Sequence, residues 1–311
     1  MSQTSNSQAS NRKTINGIAI DDTFAEAFGM SGTGLIITAD TMKWARIAAV
    51  TATGFGTSVI GCGAECGIDR ELSPDETPDG RPGVRVLMFG FSPDALIPQV
   101  KNRVGQCVLT SPGSACFNGL DAAMKIGLGQ GPRFFGDGHQ TAKKLGNSRY
   151  WRVPVMDGEF VIEETCSVTT DAVGGGNLLL IGRDRAGLLE TTEAAVEAIA
   201  KVRDVITPFP GGIVRSGSKV GTKYKGMFAS TNDAFCPTLR GAVKSELGPD
   251  TIAVLEIVID GLTSKAVADA MRAGLKAITD IGTAKGVTRV SAGNYGGKLG
   301  QHHYHLKDLL S

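Results

Sequence analysis

"TIAVLEIVIDG", Thr251–Gly261, runs directly into "LTSKAVADAMRAGLKAI", Leu262–Ile278. The first stretch is apolar, rich in β-branched residues and closed by a glycine, which predicts a strand. The second sets Val267, Met271, Leu275 and Ile278 on one helical face. One residue disturbs the strand. Glu256 stands between Leu255 and Ile257, and because strand neighbours alternate faces its surroundings are apolar whichever way it points. A carboxylate there is costly unless paired or protonated. Burial raises its pKa and turns it into an acid or hydrogen-bond donor near neutral pH. The plainer reading is a glutamate on the solvent side of an edge strand, or one paired with an arginine.

Working outward, the same order of elements occurs twice. "NLLLIG" reads as a strand, and "AGLLETTEAAVEAIAKVR" as a helix presenting Leu188, Thr192, Val196, Ile199 and Val202. "GGIVRSG" reads as a strand, and "VTRVSAG" closes the half after the strand and helix quoted first. In the other half, "GLIITAD", "TSVIGCG", "VRVLMFGF" and "QCVLTSPG" read as strands. "TMKWARIAAVTATG" and "SPDALIPQVKNRVG" read as helices, the latter opened by Ser92 and Pro93. The closing strands end alike, in "SPGSACFNGL" from Ser111 and "SAGNYGGKLG" from Ser291. Each half is introduced by a further strand pair. The pattern predicts an α+β protein of two duplicated ferredoxin-like (βαββαβ) α/β-sandwich lobes. The lobes are expected at residues 14–149 and 150–311, after a polar, disordered tail at 1–13. One irregular α/β domain is the alternative. Laying "VLMFGF" on "VLEIVI" puts Met88 opposite Glu256.

The 311 residues include 42 glycines spread along the chain, which points to tight turns and backbone-lined sites. Lys plus Arg is 32 against 31 for Asp plus Glu, so no global field favours nucleic acid or an anionic membrane. No apolar run is long enough to span a bilayer. The N-terminus lacks an apolar signal core, so a cytoplasmic protein with six reduced cysteines is expected. Cys62 and Cys66 have a metal-pair spacing but no second pair completes a zinc site. His302, His303 and His305 lie in one C-terminal stretch and lack a further ligand. No metal is expected. A dinucleotide fingerprint and a nucleophile elbow are both absent. "GNYGGKL" resembles a phosphate loop, yet Leu299 follows Lys298 where a hydroxyl belongs and Ala292 replaces the first glycine.

The remaining candidates are loops. "PFPGGIV" offers Phe209, Gly211 and Gly212. "VRSGSKVGTKYKGM" offers Ser218 and Lys219, for a substrate carboxylate or simply as a solvated basic face. "STNDAFCP" offers Ser230, Thr231, Asn232 and Asp233, suited to a ligand rich in amides and ring nitrogens. "SAGNYGGKLGQ" offers Gly293, Asn294 and Lys298. Each glycine loop either approaches a ligand or another subunit closely, or merely turns.

Together, "NGIAIDDTFAEAF", "TATGFGTSVI", "ETPDGRPGV", "PFPGGIV", "STNDAFCPT" and "SAGNYGGKLGQ" closely resemble the formylmethanofuran:tetrahydromethanopterin formyltransferases, from about Thr14 to the C-terminus. The resemblance implies an enzyme of one-carbon metabolism. It would move a formyl group between the amine of a methanofuran-type carrier and N5 of a tetrahydromethanopterin-type carrier. The family's fold is two ferredoxin-like lobes, its members are homo-oligomers (dimer or tetramer), and no tightly bound cofactor is implied. Its active-site glutamate matches Glu256. The balanced charge and polar extension resemble the bacterial relative of methylotrophs, a subunit of a formyltransferase/hydrolase complex that uses a dephospho pterin. The alternative is a non-catalytic pterin-binding or scaffold subunit of such a complex.

Overall fold

In a computed structural model, which describes residues 12–310, two long strands form the axis of the molecule. Phe24–Thr38 and Thr165–Gly182 run antiparallel, with Thr33 opposite Val168 and Phe28 opposite Gly174. Beyond this join each strand enters its own half of one 15-stranded mixed sheet. Residues 34–38 lie between Gly83–Gly90 and Ala115–Asn118, with Glu65–Leu72 outermost. Residues 178–182 lie between Ala253–Gly261 and Val287–Ser291, with Val205–Ile206 outermost. All these pairings are antiparallel. The C-terminal strand His302–His305 returns to the start of the chain and pairs with residues 24–27.

Helices Met42–Thr53 and Pro93–Arg103 cover one half of the sheet, and Arg185–Ile199 and Ser264–Ile281 the other. Each starts where a side chain satisfies an orphan amide: Thr41 accepts from Trp44, Ser92 from Ala95, Asp184 from Ala186 and Gly187, and Thr263 from Ala266. Two separate cores result. Leu35, Ile37, Val84, Val86 and Met88 pack with Ala45, Ala49, Leu96 and Val100. Leu178, Leu180, Ile257 and Ile259 pack with Leu188, Ile199, Met271, Leu275 and Ile278. Each such large buried side chain contributes roughly 1.5–3 kcal/mol. A third cluster, Met30, Leu87, Phe89, Ala172, Ile206 and Leu262, fills the seam between the halves.

Four local expectations are corrected. "TSVIGCG" is not a strand: Val59–Cys62 is one helical turn, ended by Gly63 in the left-handed region, and the strand starts at Glu65. "QCVLTSPG" is not a strand either. Its apolar run continues the preceding helix as a π turn, Val104–Val108, which buries both valines, and the strand waits until Ala115. Short apolar runs fit either element, and packing decides. "GGIVRSG" gives only one bridge, Val214 to Glu256. Finally, Met88 is not the counterpart of Glu256, because Met88 faces the helices and Glu256 does not. Counted back from the helix caps Ser92 and Thr263, the residue as far from its cap as Glu256 is Arg85, since 92 − 85 and 263 − 256 are both seven. Of the expected tail, residues 1–11 lie outside the described residues, while Lys13 opens a strand paired with Ile18–Ile20.

Candidate functional site

Strand alternation places Ile257 and Ile259 under the helices and leaves Glu256, Val258 and Asp260 on the opposite face. Glu256 is in register with Leu179, and Leu179 with Ser291, so the three form a row across neighbouring strands. The 214–236 segment folds over that row. Val214 and Glu256 exchange both backbone hydrogen bonds, at 2.7 and 2.9 Å. Thr231 Oγ1 donates to the Ser216 carbonyl at 3.0 Å and fixes the segment to itself.

The result is a small cavity of about 30 Å³ against Glu256, walled by Leu179, Val214–Gly217, Asn232, Phe235 and Cys236. Asn232 and Phe235 also wall a polar cavity of about 340 Å³ lined by Arg12, Asp21, Asp22, Thr23, Glu246, Ser291, Gly293 and Asn294. The two cavities share a wall at Asn232 and Phe235. The Glu256 residue is half-buried, and its carboxyl is largely enclosed by protein. Burial pushes its pKa up to about 7. It makes no ion pair among the described residues, so nothing offsets the desolvation.

The loop following Ser291 is shaped from inside by a second buried glutamate. Glu26 Oε1 accepts the amides of Leu299 and Gly300, each at 2.7 Å, and Oε2 those of Tyr295 at 2.6 Å and Gly297 at 2.8 Å. The loop covers it and excludes water from it. Burial pushes the Glu26 pKa up, and the amides of Gly300, Tyr295, Leu299 and Gly297 outweigh it, holding it down at about 2. The glycine-rich "GNYGGKLG" is therefore an anion nest, and its occupant is the protein's own carboxylate, which explains the likeness to a phosphate loop. A Cβ at Gly300 would overlap the Ala27 carbonyl, and Gly297 has φ +70°. Asn177 holds the start of the loop, accepting from Gly293 N at 2.6 Å and donating to Gly293 O at 3.1 Å.

Glu256 lines the smaller of these cavities, Gly293 and Asn294 the larger, and Asn232 both. Lys219, Ser230 and Thr231 line a separate cavity of about 400 Å³, with Thr222, Lys223 and Tyr224. Lys219 is ion-paired with Asp233 at 2.5 Å. Ser218 directly follows Val214–Gly217 on the wall of the smallest cavity and lines none of the three. Phe209, Gly211 and Gly212 form a turn, in which Gly212 packs on Val196 and Thr207, and they line none of these cavities. Lys298 is exposed and also outside them. Sequence reasoning missed Glu26, Asn177, Phe235, Glu246 and Tyr295. For Glu26 the signal existed: a carboxylate inside the apolar "FAEAF", the same anomaly as Glu256. Phe24 lies between His303 and His305, with ring centroids at 4.7 and 5.0 Å. No group of three metal-ligating side chains gathers among the described residues.

Two family models match the chain end to end. One, described as formylmethanofuran-tetrahydromethanopterin formyltransferase, matches residues 13–155, and one described as its proximal lobe matches residues 158–309. A protein of Methylorubrum extorquens, named as a component of its formyltransferase/hydrolase complex, is 61% identical over 302 residues, covering 96% of this chain and 97% of that protein. A crystal structure of the Methylorubrum extorquens formyltransferase/hydrolase complex with methylofuran contains a chain that is 60% identical. It superposes with a TM-score of 0.95, covering 97% of this chain and 99% of that one. The formylmethanofuran:tetrahydromethanopterin formyltransferase of Methanosarcina barkeri is 46% identical with a TM-score of 0.89, covering 96% and 100%. At such identity and coverage, the chain belongs to the formylmethanofuran-tetrahydromethanopterin formyltransferase family.

Proposed function

We propose that this chain is a formyltransferase that moves a formyl group between the amine of a methanofuran-type carrier and N5 of a tetrahydromethanopterin-type pterin, with Glu256 as its acid. The observation that carries the mechanism is a carboxyl held near neutral pKa in a small cavity that shares the wall of a polar one. In the forward direction the N5 lone pair attacks the formyl carbon and its C=O electrons move to oxygen. Protonated Glu256 donates a hydrogen bond to that oxyanion, or its proton to the departing amine. The oxyanion then collapses and the carbon–nitrogen bond to the furan carrier breaks, while the N5 proton passes to the Glu256 carboxylate where Glu256 has protonated the amine, and to the departing amine otherwise. Both carriers are nitrogen nucleophiles, so alignment in a ternary complex suffices and no covalent enzyme intermediate is required.

The larger cavity suits a pterin. Phe235 offers an apolar face for the ring, and Glu246 and Asn232 complement its amino and N–H edge. Gly293 and Asn294 lie beside that space. The other candidate contacts, at Ser218, Lys219, Ser230, Thr231 and Asp233, fall to the furan carrier's tail, with Lys219 and Lys223 available to its carboxylates. Phe209, Gly211, Gly212 and Lys298 are assigned no contact. Formylation of N5, followed by absorbance with purified protein and both carriers, tests the proposal. Binding without turnover would sink it.

The same reading takes residues 14–149 and 150–311 as duplicated ferredoxin-like lobes. Supporting it, each half has strands in spatial order 4-1-3-2, all antiparallel, under two helices. It also takes the protein as a homo-oligomer in the cytoplasm that joins a formyltransferase/hydrolase complex, as its Methylorubrum extorquens relative does. Light scattering at assay concentrations checks the assembly, and an active 32.4 kDa species would contradict it.

A further inference from the structure

The strands Thr165–Gly182 and Val287–Ser291 are in register with Leu179 opposite Ser291. Two residues further, the same register would set Gly293 beside Asn177. The backbone ladder stops at Ser291, and a side chain takes over. Asn177 Oδ1 accepts from Gly293 N at 2.6 Å, and Asn177 Nδ2 donates to Gly293 O and to Gly175 O, each at 3.1 Å. Leu178 and Leu180 face the helices, so Asn177 points to the face that carries Leu179 and Glu256. The chain at Gly293 is held on that face, where Ser291, Ala292, Gly293 and Asn294 wall the polar cavity of about 340 Å³. We propose that Asn177 is a positioning residue for the transfer: acting through Gly293, it fixes the wall of the larger cavity against which the pterin is bound. This rests on the reading of that cavity as the pterin site.

The point in the fold demands an amide. One N–H and two carbonyls converge there, and among small side chains only an amide supplies one acceptor and two donors. Asn177 is 6% exposed, so water does not replace a lost bond. The Glu26 nest begins at Tyr295 and holds the far part of the loop. Nearer the cavity, the Glu26 amide donates to Gly293 O at 3.2 Å and Asn294 Nδ2 donates to Thr23 Oγ1 at 3.1 Å, but only Asn177 holds the Gly293 N–H. Both backbone groups of Gly293 are thereby used within the protein. This stretch of wall gives the ligand shape, and Asn177 sets where that shape stands.

The test is Asn177→Asp, with Asn177→Ala beside it. Asp keeps the size and the acceptor for Gly293 N. As a carboxylate it has no donor and turns an oxygen toward two carbonyls; as an acid it regains one donor. The charged groups nearest it are also carboxyls, Asp260 beyond Gly175 and Glu26 beyond Gly293, and they favour its acid form. Calorimetry gives the Kd of a tetrahydromethanopterin-type pterin and of a methanofuran-type amine, each alone, on the acid and the alkaline side of neutrality. In Asn177→Asp the pterin Kd should rise roughly tenfold or more over wild type on the alkaline side and return toward it on the acid side. In Asn177→Ala it should be raised on both sides. The Kd of the furan carrier should match wild type throughout. Glu256 titrates in wild type and variants alike, so the ratio of the two at each pH reports Asn177. Pterin affinity unchanged in Asn177→Ala overturns the proposal, as does an equal loss for both carriers, which marks a general structural role. If Asn177→Ala does not fold, Asn177→Asp decides alone: pterin affinity that stays weak on acidification overturns the proposal. A wild type that binds no pterin sinks the reading of the cavity, whereas pterin binding that ignores both substitutions sinks only Asn177.

Discussion

Glu65 and Asp260 meet carboxyl to carboxyl at the seam between the halves of the sheet. Glu65 Oε1 accepts the Val59 amide at 3.1 Å, and Asp260 Oδ1 accepts that of Gly175 at 3.0 Å. Asp260 Oδ2 has no N–H donor among the described residues, so a proton shared with Glu65 is what satisfies it. Burial, foremost, raises both groups, and for Asp260 the facing Glu65 adds to it.

Stability should therefore fall as pH rises. Both folded pKa values exceed the unfolded ones, so the native state binds more protons, and the contribution present near pH 4 is lost on the way up to the raised values. Asp260→Asn keeps an acceptor for Gly175 and gives Glu65 a donor without needing a proton. Its stability should exceed wild type by roughly 1–3 kcal/mol at pH 8 and converge near pH 4. Urea melts at both pH values check this, and equal gains at both would contradict it.

Glu256→Gln should fold normally, because the side chain faces away from the helical core. If the residue moves a proton, transfer should drop by roughly 10²–10⁴-fold. If it only donates to the oxyanion, Gln should retain most activity while Glu256→Ala loses about 10²–10³-fold. In wild type the protonated form works, so the rate should fall as pH rises through about 7. Steady-state rates of the two variants with intact carrier binding decide between the roles.

Glu26→Gln removes the charge from the nest and places an amide group where two N–H donors point. A loss of about 2–4 kcal/mol is expected. Hydrogen exchange should accelerate at Tyr295, Gly297, Leu299 and Gly300, and protection retained there would refute the nest. In wild type this depressed carboxylate stabilises above its unfolded pKa, and the contribution disappears as pH falls toward about 2.

Gly300→Ala should be worse than an ordinary surface substitution, since its Cβ meets the Ala27 backbone and the Glu26 side chain. A loss of roughly 2–4 kcal/mol is expected in urea melts. Gly61→Ala, where a Cβ meets nothing within 4 Å, serves as the control.

The strand–helix order was legible because amphipathic periodicity is a local property: Val267, Met271, Leu275 and Ile278 all reach the core as their spacing requires. The errors fell where tertiary packing chooses between equal local options, as at Val59–Cys62 and Val104–Val108. The Met88 register failed because similar letters were matched instead of the helix caps. Glu256 and Glu26 both stand out against apolar strands, but the role of Glu26 is legible only once its partners, 269 to 274 positions away, are known to fold over it. Phe235 and Glu246 carry no pattern at all, since irregular backbone sets their direction.

The pairing of His302–His305 with residues 24–27 has a consequence for synthesis. The ribosome releases Glu26 between 269 and 274 residues before its four amide partners. While the chain grows, that carboxylate has only water for company, and the strand beside it keeps an unpaired edge. Contacts of such sequence separation form slowly. The nest is then completed only once residues 295–300 have been made, long after the strand that carries its carboxylate.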